Sequence, residues 1–183
     1  MMDSERTLTA RYCLDTSFFI DLWSDEGKFS REIFVGIWDA LQEGIVGRLI
    51  IAPTPVRDEL RDTTDTSLKA WVSDNASIFV PLDKPQLAAL TEIVCKFPAY
   101  AREPRNLADP TVVALAKVDG LTVLSSETWV SQMGKKNPKM PNVCEEFGLR
   151  CLDIKGYCGA ESIELHRRPV PSGTSLVVQR PRP

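Results

Sequence analysis

Four acidic residues set the chemistry open to this sequence: Asp15, Glu59, Asp109 and Glu127. Asp15 closes the apolar run Tyr12-Cys13-Leu14 and is followed at once by Thr16, Ser17 and a new apolar segment. This reads as a buried strand ending in a carboxylate, with a helix beginning beside it. Glu59, Asp109 and Glu127 occupy comparable strand-end or helix-start positions further along. In open α/β sheets, ligands bind beyond the carboxyl ends of the strands, so these four carboxylates are expected to converge there. Carboxylates at close quarters repel one another unless protons or cations intervene. Oxygen-only ligation favours Mg²⁺ or Mn²⁺ over zinc. Such ions stabilise both the attacking and the leaving oxygen of an in-line displacement at phosphorus. The implied reaction is hydrolysis of a phosphodiester, with Ser17 placed to hydrogen-bond a phosphate oxygen. Two of the acids also have a plainer local reading: Glu59 as a solvated first-turn acid, Asp109 before Pro110 as a helix cap.

Other mechanisms lack their residues. The one histidine, His166, lies in a Pro/Arg/Ser/Gly-containing tail, so Ser-His-Asp, Cys-His and histidine-pair mechanisms are not expected. Five scattered cysteines include no Cys-x-x-Cys pair and read as buried reduced thiols. A net charge of −3 and a pI near 5.3 argue against coating nucleic acid by electrostatics alone. They do not argue against a nuclease whose acidic site is neutralised by cations. The first ten residues lack an apolar signal region and no stretch is long enough to span a bilayer, so a cytoplasmic protein without membrane contact is expected.

The elements that must position the acids follow from the pattern. With 183 residues and 43% hydrophobic content, one domain with a real core is expected. Thr16 to Trp23 forms a short helix. Ser30 suits the N-cap of a helix with Ile33, Phe34, Ile37, Trp38, Leu41 and Ile45 on one stripe. Arg48 to Ala52 is a non-alternating, hence buried, strand, leading into a helix capped by Thr54, with Pro55 in its first position. Further helices are expected over 65–73, from Asp83 or Lys84, from Asp109-Pro110 to Gly120, over 141–147 and from Asp153. Strands are expected over 77–80, 121–125 and 149–152. Strand and helix alternate throughout, predicting a three-layer α/β/α sandwich with a mostly parallel sheet of about five short strands. Residues 11–160 form the domain in this reading, and 161–183 a flexible tail.

Arg102 and Arg105, in the loop from Pro98 to Leu107, are candidate substrate contacts. The four tryptophans with Phe18, Phe19 and Phe34 exceed what a small core needs, so the 18–38 segment is either a homodimer face or fully buried core.

The pieces YCLDTSFFIDLW, IAPTPVRDEL, LADPTVVALAKVDGLTVLSSE and KMPNVCEEFGLRCLDI resemble a PIN domain. They are most similar to an uncharacterised PIN-like family of bacterial and archaeal proteins, catalogued as a domain of unknown function. The similarity covers about Arg11 to Tyr157 and implies a metal-dependent ribonuclease of the kind that serves as the VapC-type toxin beside an antitoxin protein. By position, Asp15, Glu59 and Asp109 match the acids that PIN domains use to hold Mg²⁺ or Mn²⁺. Ser17 matches the Asn or Ser after the first Asp, and Glu127 matches a fourth position that is usually Asp. Lys139 and Asn142 lie in a piece peculiar to the closer family and are candidate substrate-binding residues. A haloacid-dehalogenase-type phosphatase would need a second Asp where this chain has Ser17. A PIN-like module that binds RNA or protein without cutting is the alternative from another class.

Overall fold

A computed structural model describes residues 9–24, 29–101, 108–131 and 139–163. Its elements run β1 (Tyr12–Leu14), α1 (Thr16–Trp23), α2 (Val35–Val46), β2 (Ile50–Pro53), α3 (Thr54–Arg61), α4 (Thr66–Asp74), β3 (Phe79–Val80), α5 (Lys84–Lys96), α6 (Ala108–Asp119), β4 (Thr122–Leu124), α7 (Met140–Glu146), β5 (Cys151–Leu152) and α8 (Ile154–Ala160). Single 3-10 turns at Ala76–Ile78 and Pro98–Ala101 complete them. The five strands form an all-parallel sheet in the order β3-β2-β1-β4-β5. This is the expected three-layer α/β/α sandwich.

The order has a mechanical consequence. From β1 the chain steps outward to β2 and β3, then returns to the other side of β1 and steps outward to β5. Because parallel crossovers are right-handed, the reversal places α1 and α2 on one face and α5, α6 and α7 on the other. Tyr157 of α8 packs edge-on against Tyr12 and Phe18 and donates to the Ala40 carbonyl, joining the first face. The switch point lies between β1 and β4, and the crevice above it opens at their carboxyl ends.

Helix α6 is the pillar of the second face. Seven consecutive residues, Pro110 to Ala116, are buried, along with Ala108. Its alanines let it lie close over β1, β2 and β4. Gly120, in the left-handed region with φ +67°, ends the helix and turns the chain into β4. At the other end, burial of Ala108 and Pro110 fixes the first turn, and with it Asp109, above the strand ends.

Several boundaries differ from the sequence expectation for identifiable reasons. Ser30 does not cap α2; it is buried in a preceding turn whose carbonyl accepts from Ile33 and Phe34. The helix starts at Val35, leaving Ile33 exposed. Thr54 is the first residue of α3 rather than its cap, and Pro53 stands before it in extended conformation. Asp109 lies inside the first turn of α6, one residue after its start, and so is not a cap. Asp65, Asp83 and Asp153 do cap α4, α5 and α8, accepting backbone N–H bonds; Asp83 forms a reciprocal box with Gln86. Packing continues past Ala160: Glu161 accepts from the Tyr12 hydroxyl and pairs with Arg11, and Ile163 packs on the core.

Three of the four tryptophans pack on one another. Phe19 and Trp23 of α1, Trp38 of α2 and Trp71 of α4 form one cluster, with ring centroids 4.4 Å apart for Phe19–Trp71 and 5.5–6.2 Å for the others. Arg31 sits 3.9 Å over the Trp23 ring. Phe18, Phe19 and Trp23 are buried in the core, while Phe34 and Trp38 are half-buried and Ile20 and Ile33 exposed. All five cysteines are free; Cys13 and Cys144 are buried, Cys151 and Cys158 half-buried, and Cys95, contrary to expectation, is exposed. Among the described residues no helix is long and apolar enough to cross a membrane.

Candidate active site

Asp15, Ser17, Glu59, Asp109 and Glu127 line one cavity of about 350 Å³, together with Thr16, Ile20 and Asp21. The sheet explains the meeting. β1 and β4 pair in register with Leu14 beside Leu124, and the Asp15 N–H donates to the Leu124 carbonyl at 2.9 Å. Asp15 and Ser125 therefore leave adjacent strands side by side at the switch point. Glu59 arrives from α3, the helix after the neighbouring strand β2, and Asp109 from the first turn of α6.

Asp15 is the centre, only 2% exposed. Its Oδ2 accepts from Ser17 Oγ at 2.5 Å and from Ser125 Oγ at 2.9 Å. The two hydroxyls lie 3.3 Å apart and accept in turn from backbone N–H groups of Ser126 and Glu127. Burial pushes the Asp15 carboxyl up, the Ser17 and Ser125 hydroxyls pull it back, and the Glu127 charge pushes it up again. Glu59 accepts from Thr16 Oγ1 at 2.6 Å. Burial raises its carboxyl, hydrogen bonds from Thr16 and the Ala108 backbone lower it, and Asp15 adds a small rise. A half-buried Glu59 inside the cavity is not the solvated first-turn acid of its local reading.

Asp109 is strongly perturbed. It is pushed up to about 8 by desolvation first, then by the charges of Asp15, Glu127 and Glu59, with Lys139 the opposing influence. That three of the four causes raising it are the other carboxylates is the electrostatic signature of convergence.

Glu127 is held at the rim. Lys139 Nζ donates to its Oε1 at 2.9 Å, and the Met140 N–H, at the start of α7, donates to its Oε2 at 2.6 Å. Lys139 is thereby engaged with a site acid. Asn142 is 9% exposed, and its amide exchanges two hydrogen bonds with the Val130 backbone, at 2.8 and 3.0 Å. Both ends of that amide are spent on the loop that follows Glu127. Arg102 and Arg105 lie outside the described residues.

The donor set suits a hard divalent cation: several carboxylates, flanking hydroxyls and no nitrogen or sulfur ligand in the cavity. The side chains are not gathered around a single point, however. Among the described residues no three acidic, histidine or cysteine groups stand close enough to share an ion as they lie. The physical reason is on view: Thr16 draws Glu59 aside, Lys139 and Met140 hold Glu127, and the serines hold Asp15. Thr16, Ser125 and Asp21 were not singled out from the sequence. The adjacency of hydroxyls to acids in LDTS and LSSE was the available signal for the first two.

Residues 12–165 match the model of a family described as "Domain of unknown function (DUF4411)". No curated protein matches the chain. A solved structure titled "Crystal Structure of FitAcB from Neisseria gonorrhoeae" aligns with 79% of this chain and 98% of its own, at 13% identity and a TM-score of 0.49. That likeness is too distant to assign a function.

Proposed function

Since the chain belongs to the DUF4411 family, a domain family without an assigned function, its activity must be read from its own site, and we propose that it is a metal-dependent endoribonuclease. The observation that carries this is the gathering of Asp15, Glu59, Asp109 and Glu127 around one cavity at the switch point of a parallel sheet. Asp15, Glu59 and Asp109 would hold Mg²⁺ or Mn²⁺, with Glu127 as a fourth acid released from Lys139. When bound, the ion would supply charge stabilisation to both oxygens of an in-line displacement at phosphorus. The protein's part is positioning. Ser17 and Ser125 fix the Asp15 carboxylate through its Oδ2. Asp109 holds a proton near neutral pH in the metal-free chain, so cation uptake is linked to proton release. Lys139, beside Glu127, supplies the one cation near the acids among the described residues that could meet a phosphate oxygen.

RNA as the substrate, and an antitoxin protein as the partner, rest on the resemblance of the four sequence pieces to PIN toxin domains, an analogy of fold and motif. Full-length protein with Mn²⁺ is expected to cut single-stranded or looped RNA, leaving a 5′-phosphate and a 3′-hydroxyl. With no histidine in the body, attack by the ribose 2′-hydroxyl lacks its usual acid–base pair, so no cyclic phosphate should form. Asp15→Asn and Asp109→Asn should each abolish cutting; activity surviving both would sink the assignment.

The engagement of Glu127 by Lys139 and Met140 favours one second reading, a module that binds RNA or protein without cutting. Wild type that binds RNA, takes up Mn²⁺ and leaves the RNA intact would decide for it.

A further inference from the structure

A second cavity, of about 320 Å³, shares a wall with the acidic one: Asp21 and Glu127 line both. Its character differs from that of its neighbour. Trp129, Phe29 and Pro141 give it apolar faces, while Ser126 and Asp153 add polar groups. Its size is at the lower end of small-ligand pockets, suited to a single nucleoside rather than a folded partner.

The wall is preorganised. Trp129 is 52% exposed, the largest exposed aromatic surface among the described residues, yet it is not loose. Its Nε1 donates to Glu145 Oε2 at 2.7 Å, and the next residue, Val130, is clasped through its backbone by Asn142. An exposed indole held from below loses little freedom when a planar group stacks on it. Ser126 Oγ is buried with no hydrogen-bond partner among the described residues. Of the charged groups in the wall, Glu127 is engaged by Lys139 and Met140 and Asp153 by the Gly156 N–H, which makes Asp21 the acceptor the wall offers to a ligand. A neutral ring carrying N–H donors would be accepted.

Resting on the nuclease reading of the adjoining acids, we propose that this second cavity is a base-binding subsite. It takes the nucleobase next to the scissile phosphate, stacked on Trp129. Bases with an exocyclic amino group (adenine, cytosine, guanine) are preferred over uracil, because their amino donors meet the Asp21 acceptor. The shared wall at Asp21 and Glu127 gives the geometric link: a base seated here leaves its own phosphate facing the carboxylates. Substrate selectivity is thereby assigned to Trp129 and Asp21, and the backbone clasp by Asn142 becomes the element that keeps the platform in place.

The test is equilibrium binding of short fluorescent oligoribonucleotides, rich in A, C or U, to the full chain in Ca²⁺, followed by cleavage of the same RNAs in Mn²⁺. Wild type should bind the A- and C-rich RNAs more tightly than the U-rich one. Trp129→Ala should weaken the former by roughly five- to 150-fold, the range for loss of one stacked base. Trp129→Tyr should restore most of the affinity, and Asp21→Asn should narrow the gap between A or C and U. Equal affinities for all RNAs in wild type, or a Trp129→Ala protein that binds like wild type, would overturn the subsite. If that protein still cut RNA in Mn²⁺, the nuclease reading would stand without the subsite. Base-selective binding lost in Trp129→Ala, with no cutting by wild type, would leave the subsite and remove the nuclease. Melting curves of both Trp129 variants check the fold, which an exposed ring should not disturb.

Discussion

Replacing Asp109 by Asn should make the metal-free protein more stable, increasingly so as pH rises above about 4. The ordinary carboxyl value of 3.8 is raised to about 8 in the folded chain. Between those values the folded state keeps a proton that the unfolded chain has released, so stability falls as pH rises through the window and levels off above it. At about 1.4 kcal/mol per tenfold change the rise sets a ceiling of roughly 6 kcal/mol. Side-chain relaxation and water entry reduce this, and about 3 kcal/mol is the expected penalty at pH 9. Against it stands the favourable place of a carboxylate in the first turn of α6, worth at most about 1 kcal/mol. Desolvation and repulsion therefore win. Asn matches the protonated acid in size, so the two proteins should converge only toward pH 4 and below, where the unfolded chain also keeps the proton. By pH 9, in EDTA, Asp109→Asn should melt about 4–8 °C higher, at about 2–4 °C per kcal/mol for a chain of this length. Excess Mn²⁺ at pH 9 should then raise the wild type and close the gap. The measurement is a set of thermal melts from pH 4 to 9, with and without EDTA. Parallel curves for the two proteins across that range would mean that Asp109 does not share a buried site with the other acids, and the proposed centre would fall.

Two further outcomes follow from the same cavity. Mn²⁺ or Mg²⁺ should raise the melting temperature of wild type by mass action, while Asp15→Asn, measured by differential scanning fluorimetry, should show no such rise. Ser125→Ala removes one of the two hydroxyls on Asp15; it should cost about 2 kcal/mol at pH 8, and the loss should shrink in acid as Asp15 is protonated, which a pair of chemical denaturation curves at pH 4.5 and 8 would measure.

Much of the architecture was legible in the chain because local chemistry and burial agree there. The non-alternating runs at Tyr12–Leu14 and Ile50–Pro53 are buried along their whole length, as parallel strands covered on both faces must be. Asp65, Asp83 and Asp153 cap the helices they precede, because a short carboxylate before a helix satisfies backbone donors whatever lies elsewhere. Strand–helix alternation was enough for the sandwich, since parallel strands need crossovers. Where a long-range contact outweighs a local preference, the local expectation fails. Ser30 is drawn into a buried turn instead of a cap.

The site divides in the same way. That Asp15 ends a strand is a property of the twelve residues around it. That Glu59 and Asp109 join it is not, because each sits in a first-turn or near-first-turn position where an acid is ordinary. Only the strand order, which puts β4 beside β1 and lays α6 across both, brings residues separated by 44 and 94 positions to one cavity. The spare hydroxyls of Thr16 and Ser125, the ion pair of Lys139 with Glu127 and the clasp of Asn142 on Val130 depend on that same meeting. Carboxylate identity is written in the sequence; the repulsion that raises Asp109 exists only after folding removes water and brings the other charges near.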